Sequence, residues 1–193
     1  MLFNSIEFLA LMLAVLATMT MLRRRGRRGA LLAASLVFYA SWNPTYIALL
    51  MVLIVGNYSL GRWVQSASTL ARGRLRWVAA LFNLGLLAGF KYAGFLVVTA
   101  TPLLDLLGLT PSAAALDIVL PLAISFITFQ GLAYVIDVSR GGTAATSLGE
   151  MALFLSFFPQ LIAGPIVRGH ELLPQLHDAG DPDRLPWSRG VLL

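Results

Sequence analysis

An all-α, polytopic transmembrane protein is the fold class this sequence predicts, and three observations predict it. Hydrophobic residues make up 58% of the 193-residue chain and charged residues only 12%, with a mean hydropathy of +0.80. An ordinary soluble domain carries roughly 25% charged residues. Charge is gathered into clusters, leaving uncharged runs at residues 8–22, 29–61, 118–136 and 151–167. A spanning helix needs about 20 mostly apolar residues, which runs of this kind supply. The apolar stretches are also continuous and do not alternate with period two, which disfavours a β-barrel.

The net charge of +5 does not point to nucleic acid. Of the fourteen basic residues, five lie at positions 23–28 and four more are Arg62, Arg72, Arg74 and Arg76. These short segments flank apolar spans, where the positive-inside bias places arginine to set topology and touch lipid head groups. With no cysteine in the chain, disulfides, a thiolate nucleophile and thiolate metal ligands are excluded. The two histidines, His170 and His177, are too few for a zinc site, so no metal is expected.

Residues 1–22 form the first expected helix. Glu7 precedes its apolar stretch and the arginines follow it, the reverse of a signal peptide's charge order. This favours a retained helix with its N-terminus outside and the arginines in the cytoplasm. The next 33 residues, 29–61, carry no charge and are too long for one straight span. Asn43-Pro44 divides them, because proline removes a backbone donor and the residue before it resists the helix. Residues 30–41 alone would reach only about 18 Å. One kinked span or a hairpin of a short and a longer helix both fit, and the arginines that follow favour the hairpin. Trp42, Tyr46 and Trp63 fit interface positions. Residues 77–101 are the next span, with Gly85 and Gly89 in a small-xxx-small pattern. Within it Lys91, between Phe90 and Tyr92, either snorkels to the interface or faces an acidic group or phosphate inside. A short interfacial helix and loop are expected over 102–117, and a clear span over 118–138, ended by Arg140-Gly-Gly with glycine in a left-handed cap. Ser147 and Glu150 have capping-box spacing and open another helix, expected to stop at Pro159. Gly164-Pro165 suggests a broken or re-entrant element, tolerable only when shielded from lipid. Residues 169–187 are polar and expected as an exposed loop, and the apolar run beginning at residue 188 suggests a longer protein. A single transmembrane domain over residues 1–193 is the expected organisation.

The block from Asp117 to Arg168 carries the functional signal. Its two halves are apolar enough to enter a bilayer, yet Gln130, Asp137, Arg140 and Gln160 lie in them and Arg168 closes the second. Polar groups at membrane depth are costly and must face protein or water, so the block is expected to line an intramembrane site. Asp137 and Arg140, three residues apart, can pair on one helix face. That pairing would be structural. Arg140 or Arg168 could instead hold the phosphates of an acyl donor, and Gln130 could orient a carbonyl or bond a neighbouring helix.

At this point the sequence resembles the membrane-bound O-acyltransferase family. The segments that carry the likeness are LPLAISFITFQ at 120–130, YVIDVSRG at 134–141 and FFPQLIAGPIVR at 157–168. The opening MLFNSIEF, FYASWNP at 38–44 and FKY at 90–92 fit as well. The bacterial alginate O-acetylation branch is the most similar, with teichoic acid D-alanyl transfer proteins near it. The resemblance implies a ring of helices, thin at its centre and pierced by a tunnel, of which this chain would be the N-terminal portion. It implies a multi-pass protein of the bacterial inner membrane that moves an acyl group, most simply acetyl, from a cytoplasmic thioester to an exported polysaccharide. The donor would be acetyl-coenzyme A or an acylated carrier protein, and a periplasmic acetyl-transfer protein would be a partner. Gln130, Tyr134, Asp137, Arg140, Gln160, Arg168 and Lys91 become candidates for the tunnel lining. The family's histidine would lie beyond Leu193, since neither His170 nor His177 matches its motif. Teichoic acid or peptidoglycan remain alternative acceptors. A transporter, or an inactive structural portion, remains the alternative class, though no inverted repeat is visible to support the former.

Overall fold

The computed structural model describes residues 5–22, 24–106, 121–161, 164–165 and 167–178. Among them the regular structure is helical throughout: α1 (Ile6–Met21), α2 (Arg24–Ala40), α3 (Tyr46–Ser66), α4 (Thr69–Leu106), α5 (Ile124–Ser139), α6 (Leu148–Ser156), α7 (Phe158–Leu161) and α8 (Gly169–Asp178). Of the short interfacial helix and loop expected over 102–117, residues 102–106 continue α4 with no break, while 107–117, the start of the run at 118 and the polar stretch after Asp178 lie outside the described residues.

Several helix ends are met by groups that the local sequence supplies. Ser5 caps α1, its hydroxyl accepting from the Phe8 amide at 3.2 Å, with Glu7 in the first turn where the helix dipole favours an acid. The arginine run is not a loop. Helix α2 begins within it at Arg24, and the Arg27 Nε donates to the Leu22 carbonyl at 2.8 Å, satisfying an end group of α1. The hairpin expected around Asn43-Pro44 is present: α2 stops at Ala40, the Asn43 side chain accepts from the Thr45 amide at 3.0 Å, and α3 starts at Tyr46.

Helix α3, of 21 residues, is the one helix among the described residues long and apolar enough to cross a membrane. It runs on through Arg62. Helix α4, of 38 residues, takes in Arg72, Arg74 and Arg76 before the expected span and Pro102 after it. At 1.5 Å per residue it is about 57 Å long, well beyond the ~30 Å hydrocarbon core. Gly73 is a weak helix former, but the Leu, Ala and Arg around it are good ones, so the helix runs on through 69–76.

Helix α5 packs mainly on α3 and α4. It begins only at Ile124, after Pro121 and a left-handed Ala123 (φ 53°), so it is shorter than the expected span. It ends as expected, with Gly141 at φ 107° and the Gly142 amide reaching the Asp137 carbonyl at 3.0 Å. The capping box is also as expected: Ser147 accepts from the Glu150 amide, and the Glu150 carboxylate accepts from the Thr146 amide at 2.7 Å.

The break after α6 falls at Phe157, two residues ahead of the expected stop at Pro159. Proline would clash with the carbonyl four residues back, so the chain leaves the helix early. It restarts with Pro159 in the first turn of α7, where no amide is needed. The Phe158 amide freed by this step donates to the Ser35 hydroxyl of α2 at 3.3 Å. The Phe158 ring sits against Phe8 and Phe38, with centroids 6.2 and 5.9 Å away. Residues 169–178 are helical, not an open loop: Leu172, Leu173 and Leu176 fall on one face, are buried, and seat α8 on α6.

Asn57 of α3 and Asn83 of α4 are fully buried and exchange amide hydrogen bonds of 3.0 and 2.9 Å. Each amide nitrogen also bonds the carbonyl one turn back, Leu53 and Ala79 respectively. Replacing either asparagine by leucine orphans a buried partner and is expected to cost about 1–3 kcal/mol. The Asn57→Leu/Asn83→Leu double variant should lose less than the sum of the two singles. A double-mutant cycle of unfolding midpoints in detergent reads this coupling, and strict additivity would count against it.

Candidate functional site

The arginine-bearing end of the bundle brings together the ends or beginnings of α2, α3, α5, α6 and α8, and of the candidates Tyr134, Asp137 and Arg168 meet there. Tyr134 is the centre. Its ring is buried, and its hydroxyl accepts from the Ala145 amide at 2.9 Å, holding the segment after α5 against the helix. Gly61 of α3 and Gly169 of α8 let the ring fit. A Cβ on Gly61 would overlap the tyrosine hydroxyl and ring, and one on Gly169 would come within 3.2 Å of the ring's Cδ2. Phe154 of α6 covers the ring with its centroid 6.0 Å away.

One turn further along α5, Asp137 is largely buried and accepts from the Arg168 guanidinium at 2.8 Å. The pairing of Asp137 with Arg140 expected from their spacing is not formed. Arg140 is the first residue past α5 and its exposed side chain lines a different cleft, against Arg76 and Trp77 of α4. The second Asp137 oxygen is buried with no hydrogen-bond donor among the described residues, and the His170 Nδ1 stands 3.8 Å from it. His170 is exposed at the start of α8, as its surface reading requires, yet adjoins the acid that α5 presents. Beside it opens a cleft of about 460 Å³ between the 143–146 segment, Glu150 and α8, with His170, Leu173 and Pro174 on the α8 side.

The other candidates lie elsewhere. Gln130 is buried near mid-helix, where its Nε2 donates to the Phe154 carbonyl at 3.2 Å, while its Oε1 has no donor among the described residues. Gln160 closes the broken element, its Nε2 donating to the Pro165 carbonyl at 3.0 Å, with Gly164 packed beneath. Lys91 is exposed, its Nζ 5.6 Å from the Tyr92 ring centroid. Phe90 beside it meets Tyr46, at the opposite end of α3 from Gly61. The side chain of His177 lies outside the described residues. No group of three or more metal-ligating side chains occurs among the described residues.

Sequence reasoning missed Asn57, Asn83 and Ser35 as structural polar groups. The signal that singled out Gln130, an amide inside an uncharged run, was present at both asparagines.

The described residues form a helical membrane protein in which Tyr134, Asp137 and Arg168 meet where α5 ends and α8 begins, with a separate break between α6 and α7. Comparison with known proteins sharpens this. The chain is 38% identical to the probable alginate O-acetylase AlgI of Pseudomonas aeruginosa over 181 residues, 92% of this chain and 35% of that relative. Against the probable alginate O-acetylase AlgI of Azotobacter vinelandii it is 36% identical, with 92% and 36% covered. A peptidoglycan O-acetyltransferase of Helicobacter pylori is 36% identical over 77% of this chain and 32% of that relative. The chain thus spans about a third of the length of the curated relatives it matches. No family model and no solved structure matches it. Over the residues it spans, the chain belongs to the membrane-bound O-acyltransferase family, on its alginate-acetylation branch.

Tyr134→Phe removes the partner of a buried amide and is expected to cost about 1–3 kcal/mol. Gly61→Ala, which drives a methyl into the same tyrosine, should lower the unfolding midpoint further. Thermal unfolding of both variants in detergent checks the order, and an unperturbed Gly61→Ala protein would contradict the packing.

Proposed function

We propose that this chain forms one wall of the acyl-transfer site of a multi-pass O-acetyltransferase in the bacterial inner membrane. The observation that carries the reading is the similarity, over 92% of the chain, to proteins named alginate O-acetylase. Its donor is a cytoplasmic acetyl thioester, coenzyme A or an acylated carrier, and its acceptor an exported polysaccharide reached through a periplasmic partner. Alginate is the acceptor that the alginate O-acetylases favour. The Helicobacter relative's printed name supports peptidoglycan as the second possibility.

The chemistry requires an acceptor hydroxyl to lose its proton to a base and attack the thioester carbonyl. The carbon–sulfur bond then breaks, and the departing thiolate takes up a proton. An imidazole is the natural base at neutral pH, and the family resemblance assigns it to a histidine outside residues 1–193. The residues here bind and position. Asp137 holds Arg168, the residue before Gly169 and His170 of the 460 Å³ cleft lining, and a guanidinium held there can meet the phosphates of the donor. Tyr134 and Glu150 hold the 143–146 wall in place from behind.

The test uses the full-length parent in membranes supplied with labelled acetyl-coenzyme A, read as acetyl groups on exported polysaccharide. Asp137→Ala is expected to lower transfer by roughly tenfold to a hundredfold, the cost of misplacing a positioning wall by about an ångström. Wild-type membranes that take up a solute and acetylate nothing would overturn the proposal.

A further inference from the structure

Arg76 of α4 and Arg140 at the end of α5 flank a cleft of about 390 Å³ whose other lining residues are Gly73, Trp77, Ala80 and Ile136. No carboxylate among the described residues lines it. Asp137, the acid nearest to Arg140 in sequence, is engaged by Arg168, and neither Arg76 nor Arg140 forms an ion pair with a described residue. Two guanidiniums therefore share one opening, and no described carboxylate offsets their charge of +2. The rest of the surface is apolar. Trp77 is 79% exposed at the outer edge, and Ala80 and Ile136 lie one turn further into the span on their respective helices. Cationic forks two turns into α4 and just past the end of α5, an exposed tryptophan beside them and an apolar floor leading inward match a phospholipid end to end.

We propose that this cleft between α4 and α5 binds the headgroup phosphate of an anionic phospholipid. Its glycerol and upper acyl chain lie along Trp77, Ala80 and Ile136. Charge complementarity selects the occupant. A zwitterionic choline lipid would bring its own cation beside two arginines, while a phosphatidylglycerol brings only the anion. Arg140 thereby has a role separate from the acyl-transfer cleft, and this assignment does not depend on which acceptor the protein serves.

The experiment titrates the full-length protein in detergent with phosphatidylglycerol or phosphatidylcholine and counts bound lipid by native mass spectrometry. Wild type should retain phosphatidylglycerol in preference. Arg76→Gln/Arg140→Gln should weaken it roughly tenfold to thirtyfold, since each basic residue near a lipid surface contributes about a factor of five. Each single glutamine variant should lose about half of that effect on a logarithmic scale. Arg62→Gln/Arg74→Gln removes the same charge from exposed arginines outside the cleft and should leave the preference intact. Equal losses in the two double variants, or no preference in wild type, would overturn the site. Displacement of the lipid by millimolar inorganic phosphate would overturn the lipid assignment and leave a free-phosphate site.

Discussion

A helix that stops partway through a bilayer leaves backbone groups with no water to meet them, and every such group must find a partner within the protein. This constraint shapes the region after α5. When the chain steps out of the helix at Phe157, the Phe158 amide finds the Ser35 hydroxyl on α2, and the Gln160 side chain takes the Pro165 carbonyl. The Phe8, Phe38 and Phe158 rings close around the step and bind α1 and α2 to it. The broken element is therefore held from two sides, by hydrogen bonds and by apolar burial, and can keep a fixed shape.

Helix α5 transmits that order to the site. Along it, Gly131 admits the Asn57 side chain, Gln130 reaches the Phe154 carbonyl, Tyr134 fills the space between Gly61 and Gly169, and Asp137 takes Arg168. These positions turn to different neighbours: α3, α6 and α8. A single helix thereby registers three others, and small residues at the contacts permit the close approach. The polar side chains serve as interhelical bonds as well as site walls, so their two readings are compatible. Tyr134 shows this most plainly, because the hydroxyl that fixes the wall of the cleft is also what makes burial of the ring tolerable.

Asp137 and Arg140 at the end of α5 illustrate how far spacing can be trusted. Asp137 and Arg140 are three residues apart, which puts them on one face only while the helix continues. Helix α5 ends at Ser139, and Gly141 in the left-handed region turns the chain away. Arg168, thirty-one residues on, occupies the place instead. Arg140 is left at the lipid-facing side with Arg76, a neighbour that its position in the chain gives no reason to expect.

What the sequence by itself determined was whatever depends on neighbours along the chain. The helical class follows from long uncharged runs, the hairpin at Asn43-Pro44 and the glycine cap at Gly141 from backbone preference, and the Ser147–Glu150 capping box from three-residue spacing. Its motifs were also enough to indicate the family, through local segments that recur in order. Only the tertiary structure decided the pairing of Asp137 with Arg168, the meeting of Asn57 with Asn83, the seat of Tyr134 between two glycines, and the folding of 169–178 onto α6. The physical reason is one of range. Caps and turns are set within a few residues, while a buried polar group must be satisfied by whichever helix packing brings near, and no local pattern names that helix.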